Sequence, residues 1–294
     1  MATKSVYDII TDVIIKRLDA GVIPWRKPWR TFGPSRNLIS GKPYRGINQF
    51  ILGCAPFSSP FFVTFKQAKE CGGFVRAGER SLPCVFWTEW QVEDKDTGED
   101  KKIPVLRFYN VFNSEQCDGL NHARLAELLG ADSPAAFNPI ADAQAVVDGM
   151  PKRPAIQHTE PRAFYRPSTD TVNMPTPGLF VSPESYYDTL FHELGHSTGH
   201  ASRLARKGIM DHHFFGDSDY GQEELVAEMT AAFLCGHCRI EQAIIENSAA
   251  YIGSWLRTIK QDAKLVVIAA AQAQKAADFI LGASSAPVNG GAES

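Results

Sequence analysis

Hydrophobic residues near the amino terminus repeat every three or four positions, which is the spacing of one face of a helix. The repeat runs from Val6 to Leu18, and Gly21 follows as a stop signal, so an amphipathic first helix is predicted. Two shorter helical patterns follow near residues 48–54 and 64–71. The chain therefore opens with helices of modest length.

The pattern changes between Cys84 and Asn113. Two runs rich in β-branched and aromatic residues flank the turn sequence Asp-Thr-Gly-Glu, which predicts a β-hairpin. A helical pattern then occupies part of the Pro- and Ala-rich interval 131–160, interpreted as a linker or tethering helix. Residues 1–130 are therefore expected to form an α+β domain.

The second half of the chain reads as a strand–turn–strand pattern followed by helices. Helical spacing recurs over 183–199 and 222–237, and then through a long Ala-rich stretch over 241–281. The whole chain is expected to be α+β with two domains. The predicted division is 1–130, the linker 131–160, a second domain over 161–282 and a flexible tail over 283–294.

Charge is distributed unevenly along the chain. Residues 1–92 contain 13 Lys and Arg against 6 Asp and Glu, whereas residues 93–294 contain 17 against 27. The acid-free window from Ala20 to Lys69 contains no Asp or Glu and should attract polyanions. Six irregularly spaced cysteines predict free thiols in a reducing compartment. Since long apolar runs are missing, a cytoplasmic protein without membrane contact is expected.

Residues 187–200 read YDTLFHELGHSTGH and contain His-Glu-x-x-His. On a helix, His192 and His196 share one face and can present ring nitrogens to one divalent ion. Glu193 lies one step round the helix, where its carboxylate can act as the general base toward a water. The pattern predicts a site for metal-assisted amide hydrolysis, with zinc as the expected ion and manganese as the alternative.

Such a site needs a third protein ligand. The metzincin position for a third His is occupied by Ser202. His200 lies two positions earlier and could reach the ion only if the helix broke at Gly199, so it is expected to lie in the surroundings of the site.

A following helix offers the other solution. The segment QEELVAEMTAAFL supplies three acids within the helix predicted over 222–237. Glu224 is expected to be the third ligand, and Glu228 to hydrogen-bond a ligand His from behind. Glu223 remains the main alternative as ligand. Small residues such as Ala227 would let this helix approach the His-Glu-x-x-His helix closely.

Further elements of a hydrolytic site are open at this stage. The strand predicted around 171–174 is placed where an extended peptide could pair by strand addition. Tyr165, Tyr186, Tyr187 and His200 are alternative groups for stabilising an oxyanion. The sequence CGHC at 235–238 has the spacing of a redox motif, but it ends a helix instead of beginning one. Its cysteines are therefore expected to be buried thiols.

The basic front of the chain interleaves aromatic side chains with cations. Single-stranded nucleic acid is bound in this manner, because bases stack on rings and phosphates meet charges without sequence readout. The alternative is that the aromatic residues form core and the cations a solvated face. The candidate DNA-binding residues are Trp25, Arg26, Lys27, Trp29, Arg30, Arg36, Lys42, Tyr44, Arg45, Asn48, Lys66, Gln67, Arg76 and Arg80.

The chain as a whole resembles the ArdC antirestriction family of conjugative plasmids. The resemblance rests on PWRKPW, NLISGKPYRGIN, FVTFKQAKECGGFVRAGER and YNVFNSEQCDGL, joined to HELGHSTGHASRL, and it covers nearly the whole length. It implies an N-terminal single-stranded-DNA-binding domain, shared with certain plasmid primases, and a C-terminal zincin-type metalloprotease domain. It also implies a protein that shields incoming plasmid DNA from restriction.

Two functions of different classes remain open from the sequence. In the first, an active metalloprotease is delivered to a protein substrate on single-stranded DNA, such as the restriction machinery or a DNA-bound protein. In the second, the chain is a DNA-binding shield whose metal site is structural or nearly inactive.

Overall fold

The structure is a computed structural model, and it describes residues 5–19, 34–53, 55, 57, 59–93, 100–125, 139–210, 218–240, 255–256 and 259–283. The helices are α1 Val6–Asp19, α2 Ile47–Gly53, α3 Phe65–Glu70, α4 Pro139–Gly149, α5 Pro183–Ser197, α6 Lys207–Met210, α7 Ser218–His237 and α8 Leu265–Ile280. The strands are β1 Arg36–Asn37, β2 Phe61–Val63, β3 Phe74–Val75, β4 Leu82–Glu93, β5 Asp100–Asn113, β6 Cys117–Asp118, β7 Ala155–Gln157, β8 Phe164–Arg166 and β9 Thr171–Asn173.

The N-terminal half is built around the predicted hairpin. Strands β4 and β5 pair in antiparallel register from Leu82 opposite Val111 to Glu93 opposite Asp100, which confirms the hairpin. Its predicted Asp-Thr-Gly-Glu turn lies outside the described residues. The sheet continues in the order β1-β2-β5-β4, and β3 pairs with β6 in a separate two-stranded sheet.

The C-terminal half places a small sheet against helices. Strand β9 lies between β7, which is parallel to it, and β8, which is antiparallel. The expectation that the 171–174 strand receives a peptide is therefore wrong, because both of its hydrogen-bonding edges are occupied. Helix α4 packs against this sheet, because its Ala143 and Val147 belong to the same buried cluster as Val172 of β9.

The predicted single helix over 241–281 is also wrong in its continuity. Helical turns end at Gln261, and α8 begins anew at Leu265. The Asp262 side chain accepts a hydrogen bond from the Lys264 backbone, and the Ala263 carbonyl accepts one from Thr11 in α1. These bonds compete with the backbone hydrogen bonds that would continue the helix through residues 262–264. Residues 241–254 lie outside the described part.

The two halves share one hydrophobic core. Ile14 of α1, Val85 of β4 and Leu106 of β5 belong to the same buried cluster as Met229 of α7 and Ala269 of α8. A second cluster lies between α4, α5, α7 and the C-terminal sheet. Helix α7 contributes to both clusters, so it connects the N-terminal half with the region of the His-Glu-x-x-His motif.

Candidate metal centre and nucleic-acid surface

Helix α5 carries the His-Glu-x-x-His motif and begins at a defined cap. Ser182 accepts a hydrogen bond from the Ser185 backbone, and Pro183 occupies the first helical position. Gly195 lies against α7: a Cβ at this position would be 3.2 Å from both the Ala227 Cα and the Thr230 Cβ. The glycine inside the motif and the predicted small residue Ala227 therefore let the two helices approach closely.

This approach brings three ligand-type side chains together. The Nε2 atoms of His192 and His196 are 3.0 Å apart. Glu224 of α7 faces both rings, with carboxylate oxygens 3.6 Å from His192 Nε2 and 3.4 Å from His196 Nε2. Metal–ligand distances of about 2.0 to 2.2 Å in a tetrahedral site place neighbouring ligand atoms ~3.3 Å apart. The three groups therefore fit a single divalent ion.

The other ring nitrogens face two further acids of α7. Glu228 Oε1 is 3.8 Å from His192 Nδ1, and Glu223 Oε1 is 3.5 Å from His196 Nδ1. The Glu228 carboxylate thus lies beside the His192 nitrogen that is not directed at Glu224. Glu223 is behind the other His, and among the described residues the ligand-type cluster comprises His192, His196 and Glu224.

Electrostatics in this cluster are dominated by the carboxylates. Burial alone would lower the pKa of His196, but Glu223 and Glu224 outweigh it and hold that pKa well above its ordinary value. Burial alone would raise the pKa of Glu223, but hydrogen bonds from Arg206, together with the nearby His196 ring, hold it below its usual range. The site thus has the negative character that a divalent cation requires.

Glu193 is 7% exposed and follows His192 directly. Several candidate oxyanion groups are hydrogen-bonded elsewhere: the Tyr165 hydroxyl donates to Asp170, and the Tyr187 hydroxyl donates to Gln144. The His200 ring nitrogen Nδ1 is 2.9 Å from the Ser202 hydroxyl. Helix α5 ends at Ser197, and His200 is outside the three-residue cluster.

The CGHC sequence is a buried helix end. Cys235 lies in the last turn of α7 and Cys238 just follows it; both are free and buried. Burial raises the pKa of Cys238 to about 12, which is the opposite of what a redox thiol needs. Cys71, Cys84 and Cys117 are also free thiols, as predicted.

The candidate DNA-binding residues fall into three groups. Trp25, Arg26, Lys27, Trp29 and Arg30 lie outside the described residues.

The second group consists of Tyr44, Asn48 and Gln67, whose side chains contact other residues of the protein. Tyr44 packs edge-on against Phe62 at 6.3 Å, and its hydroxyl is buried. The Asn48 amide pairs with the backbone of Val85 in β4, and Gln67 forms the capping box of α3 with Thr64. The Tyr44 ring is therefore partly buried against a core cluster, and its stacking on a base stays a prediction.

The third group consists of cations. Arg45 is paired with Asp278 of α8, and Arg76 is paired with Glu79 and Asp118. The remaining described cations of the predicted set are exposed side chains: Arg36, Lys42, Lys66 and Arg80.

The two most exposed aromatic rings in the described part of the N-terminal half were not among the predicted residues. Phe65 at the start of α3 is 53% exposed and Phe74 of β3 is 58% exposed. The Lys69 ammonium lies 5.0 Å from the Phe65 ring centre. In the two-residue strand β3, Val75 packs on a core cluster while Phe74 points away from it. Successive side chains of a strand point to opposite faces, so the apolar pair Phe74 and Val75 already indicated in the sequence that one of the two would face outward.

Comparisons with known proteins match both halves. Residues 4–112 match the N-terminal domain of anti-restriction factor ArdC, and residues 143–272 match the zincin-like metallopeptidase family. The fold and site thus define an antirestriction-type N-terminal domain followed by a zincin-like domain. None of the helices among the described residues is long and apolar enough to cross a lipid bilayer.

Two solved structures similar to this chain are those of the antirestriction protein ArdC from plasmid R388. The metal-free form is 38% identical with a TM-score of 0.75, covering 94% of this chain and 97% of that one. The Mn(II)-bound form is 36% identical with a TM-score of 0.70, covering 95% and 98%. The chain belongs to the ArdC family of antirestriction proteins, and its zincin-like domain is a divalent-metal domain.

Curated relatives extend the comparison. A DNA primase TraC of Escherichia coli is 36% identical over 95% of this chain, which corresponds to 27% of the primase. A second TraC is 35% identical over 95% of this chain and 20% of its own length. The uncharacterized protein y4eC of Sinorhizobium fredii is 32% identical over 94% of this chain and 91% of its own. The chain therefore spans about a quarter of the primases that it matches.

Proposed function

We propose that this protein binds single-stranded DNA through its N-terminal half and hydrolyses peptide bonds at a metal centre formed by His192, His196 and Glu224. The observation that carries the hydrolytic part is the set of three ligand groups whose nearest atoms are 3.0 to 3.6 Å apart, supplied by two closely packed helices. Glu193, adjacent to a ligand and buried, is the proposed general base.

The proposed chemistry assigns a role to each group. His192, His196 and Glu224 would hold a divalent ion, which would supply Lewis-acid activation of a water and of the scissile carbonyl. Glu193 accepts the proton of the attacking water at its carboxylate and delivers it to the leaving amine. Strand β8 lies at the edge of its sheet and packs on α5. It replaces β9 as the strand proposed to pair with an extended substrate.

The test of this site separates metal binding from catalysis. Glu193→Gln should retain one divalent ion per chain, measured after gel filtration, because Gln keeps the size of Glu and the ligands are unchanged. It should lose hydrolysis of an unfolded protein substrate by at least ~10²-fold, since the general base is removed. His192→Ala should lose both the ion and the activity. Wild-type hydrolysis in Glu193→Gln, or full metal content in His192→Ala, would contradict the proposed site.

The DNA-binding part is supported by the charge distribution and by the match to the ArdC N-terminal domain. The residues proposed to bind DNA are the exposed cations, Phe65 and Phe74, and also the cations and tryptophans of residues 25–30. The proposed biological role is protection of incoming plasmid DNA from restriction in the recipient cytoplasm. The similarity to primases over their matching segment and to a plasmid antirestriction protein supports that role.

The alternative is a DNA-binding shield whose metal centre is structural or nearly inactive. The extensive packing between the two halves favours this alternative, because an ion between α5 and α7 could stabilise the whole molecule. The two functions differ in one experiment: plasmid transfer into a restricting recipient with wild type or Glu193→Gln. Loss of protection supports proteolysis, whereas full protection by a variant that retains its ion supports the shield.

A further inference from the structure

A buried arginine lies behind the proposed metal ligands. Arg206 is 8% exposed and follows the end of α5. Its guanidinium donates to both oxygens of Glu223 on α7, with 2.9 Å between Nε and Oε2. It also donates to the Thr198 hydroxyl at 2.5 Å and to the Gly195 carbonyl at 2.9 Å. One side chain thus joins the last turn of α5 to α7.

The carboxylate that Arg206 holds is directed at a ligand His. Glu223 Oε1 is 3.5 Å from His196 Nδ1, while His196 Nε2 faces Glu224. His196 Nδ1 is buried and makes no hydrogen bond within the described part of the chain. A His that binds an ion through Nε2 carries its proton on Nδ1 and requires an acceptor there. Glu223 is placed to be that acceptor.

We propose that Arg206 is a positioning residue for the metal centre: its two-donor contact fixes the Glu223 carboxylate, which orients the His196 ring toward the ion. This inference rests on the metal site of the proposed function. The fork geometry of a guanidinium fixes the plane of a carboxylate, which a single ammonium donor cannot do. Neither residue belongs to the proposed ligand set, so both would act through the orientation of His196.

A second buried arginine provides a matched control. The Arg203 side chain is fully buried and is paired with Asp170, with 3.0 Å between Nη1 and Oδ2. It also donates to the Ser197 carbonyl at the end of α5 at 2.7 Å. Its other hydrogen bonds among the described residues go to Lys152 and Tyr165. Arg203 therefore stabilises the same helix end without contacting Glu223.

The experiment measures Zn²⁺ affinity of the full chain by competition with a chromophoric chelator, and urea unfolding of the metal-free protein. Glu223→Gln and Arg206→Met should each weaken Zn²⁺ binding by about 10- to 100-fold, the range for partners of ligand histidines. Arg203→Met should lower the unfolding midpoint but leave the affinity unchanged. The double variant Arg206→Met/Glu223→Gln should bind Zn²⁺ as Glu223→Gln does, because Arg206 acts through Glu223.

Several outcomes would overturn the proposal. These are unchanged affinity in Glu223→Gln, an equal loss in Arg203→Met, or additive losses in the double variant. If Arg206→Met does not fold, Arg206→Lys keeps the charge without the fork and should show an intermediate affinity. The variant His192→Ala distinguishes failure of the metal site from failure of the positioning role. If His192→Ala retains its Zn²⁺ affinity, the metal site itself is refuted. Loss in His192→Ala with wild-type affinity in Glu223→Gln refutes only the role of Arg206 and Glu223.

Discussion

At the scale of single residues, exposure separates aromatic side chains that sequence composition treats alike. Tyr44 has its ring against Phe62, and burial, the largest cause, raises the pKa of its hydroxyl. Phe65 and Phe74 are more than half exposed although they are fully apolar. An exposed ring beside a cation, as Phe65 is beside Lys69, can stack on a base while a phosphate meets the charge.

Substitution of these rings should separate stacking from charge. Phe65→Ala and Phe74→Ala should each weaken oligo-dT binding by ~1 to 3 kcal/mol per base contact, with little change in salt dependence. Lys66→Ala should instead lower the log–log salt slope by ~0.7. Fluorescence anisotropy at several salt concentrations measures both quantities. Leu179→Ala is the control, because Leu179 is equally apolar, 67% exposed and lies in the C-terminal half. Equal losses in Leu179→Ala, or wild-type affinity in both Phe variants, would contradict the proposed surface.

At the scale of elements, the metal site depends on how closely α5 and α7 approach. His192 and His196 come from α5, whereas the acids that face their rings come from α7. The distances between these side chains therefore depend on the separation of the two helices. Gly195 is the contact point, and the atoms that its missing Cβ would meet include backbone of α7. Backbone cannot rotate away as a long side chain can.

Gly195→Ala should therefore force the helices apart. The expected destabilisation is ~1 to 3 kcal/mol in urea unfolding, as for an overpacked core, and Zn²⁺ affinity should fall as well. Gly236→Ala is the matched control, because Gly236 is also helical and a Cβ there would meet nothing within 4 Å. It should be neutral or stabilising by up to ~1 kcal/mol, through helix propensity. Equal effects of the two substitutions would show that the close approach is not required.

At the scale of the whole molecule, the N-terminal half is packed on the back of the helix that carries the acids. Ile14, Val85 and Leu106 contact the cluster that includes Leu225 and Met229 of α7. Arg45 is paired with Asp278, and the Gly46 backbone donates to Gln274 of α8 at 2.9 Å. Metal binding and the stability of the N-terminal half should therefore be linked.

This linkage can be measured with tryptophan fluorescence. Four of the five tryptophans lie within residues 1–130, so Trp255→Phe leaves every remaining probe in the N-terminal half. A metal at 100 times its dissociation constant should stabilise the folded chain by ~2.7 kcal/mol. That shift should appear in urea unfolding followed by fluorescence as well as by far-UV circular dichroism. A metal-dependent shift seen by dichroism alone would show that the two halves unfold independently.

Periodicity in the sequence alone determined the individual elements and the pair of histidines. The first helix, the hairpin and the His-Glu-x-x-His helix follow from spacing, because repeats of 3.6 and 2 decide which residues share a face. The same rule places His192 and His196 one turn apart. Fold class followed from the order of these elements and from the family resemblance.

Tertiary structure decided which face of each element meets which neighbour. Glu223, Glu224 and Glu228 are three acids of one helix, and only the rotation of α7 against α5 assigns them to different nitrogen atoms. The pairing of Arg206 with Glu223 joins residues 17 positions apart. The central position of β9 depends on pairing with two other strands. Such contacts arise from packing between elements, which the local spacing of residues does not encode.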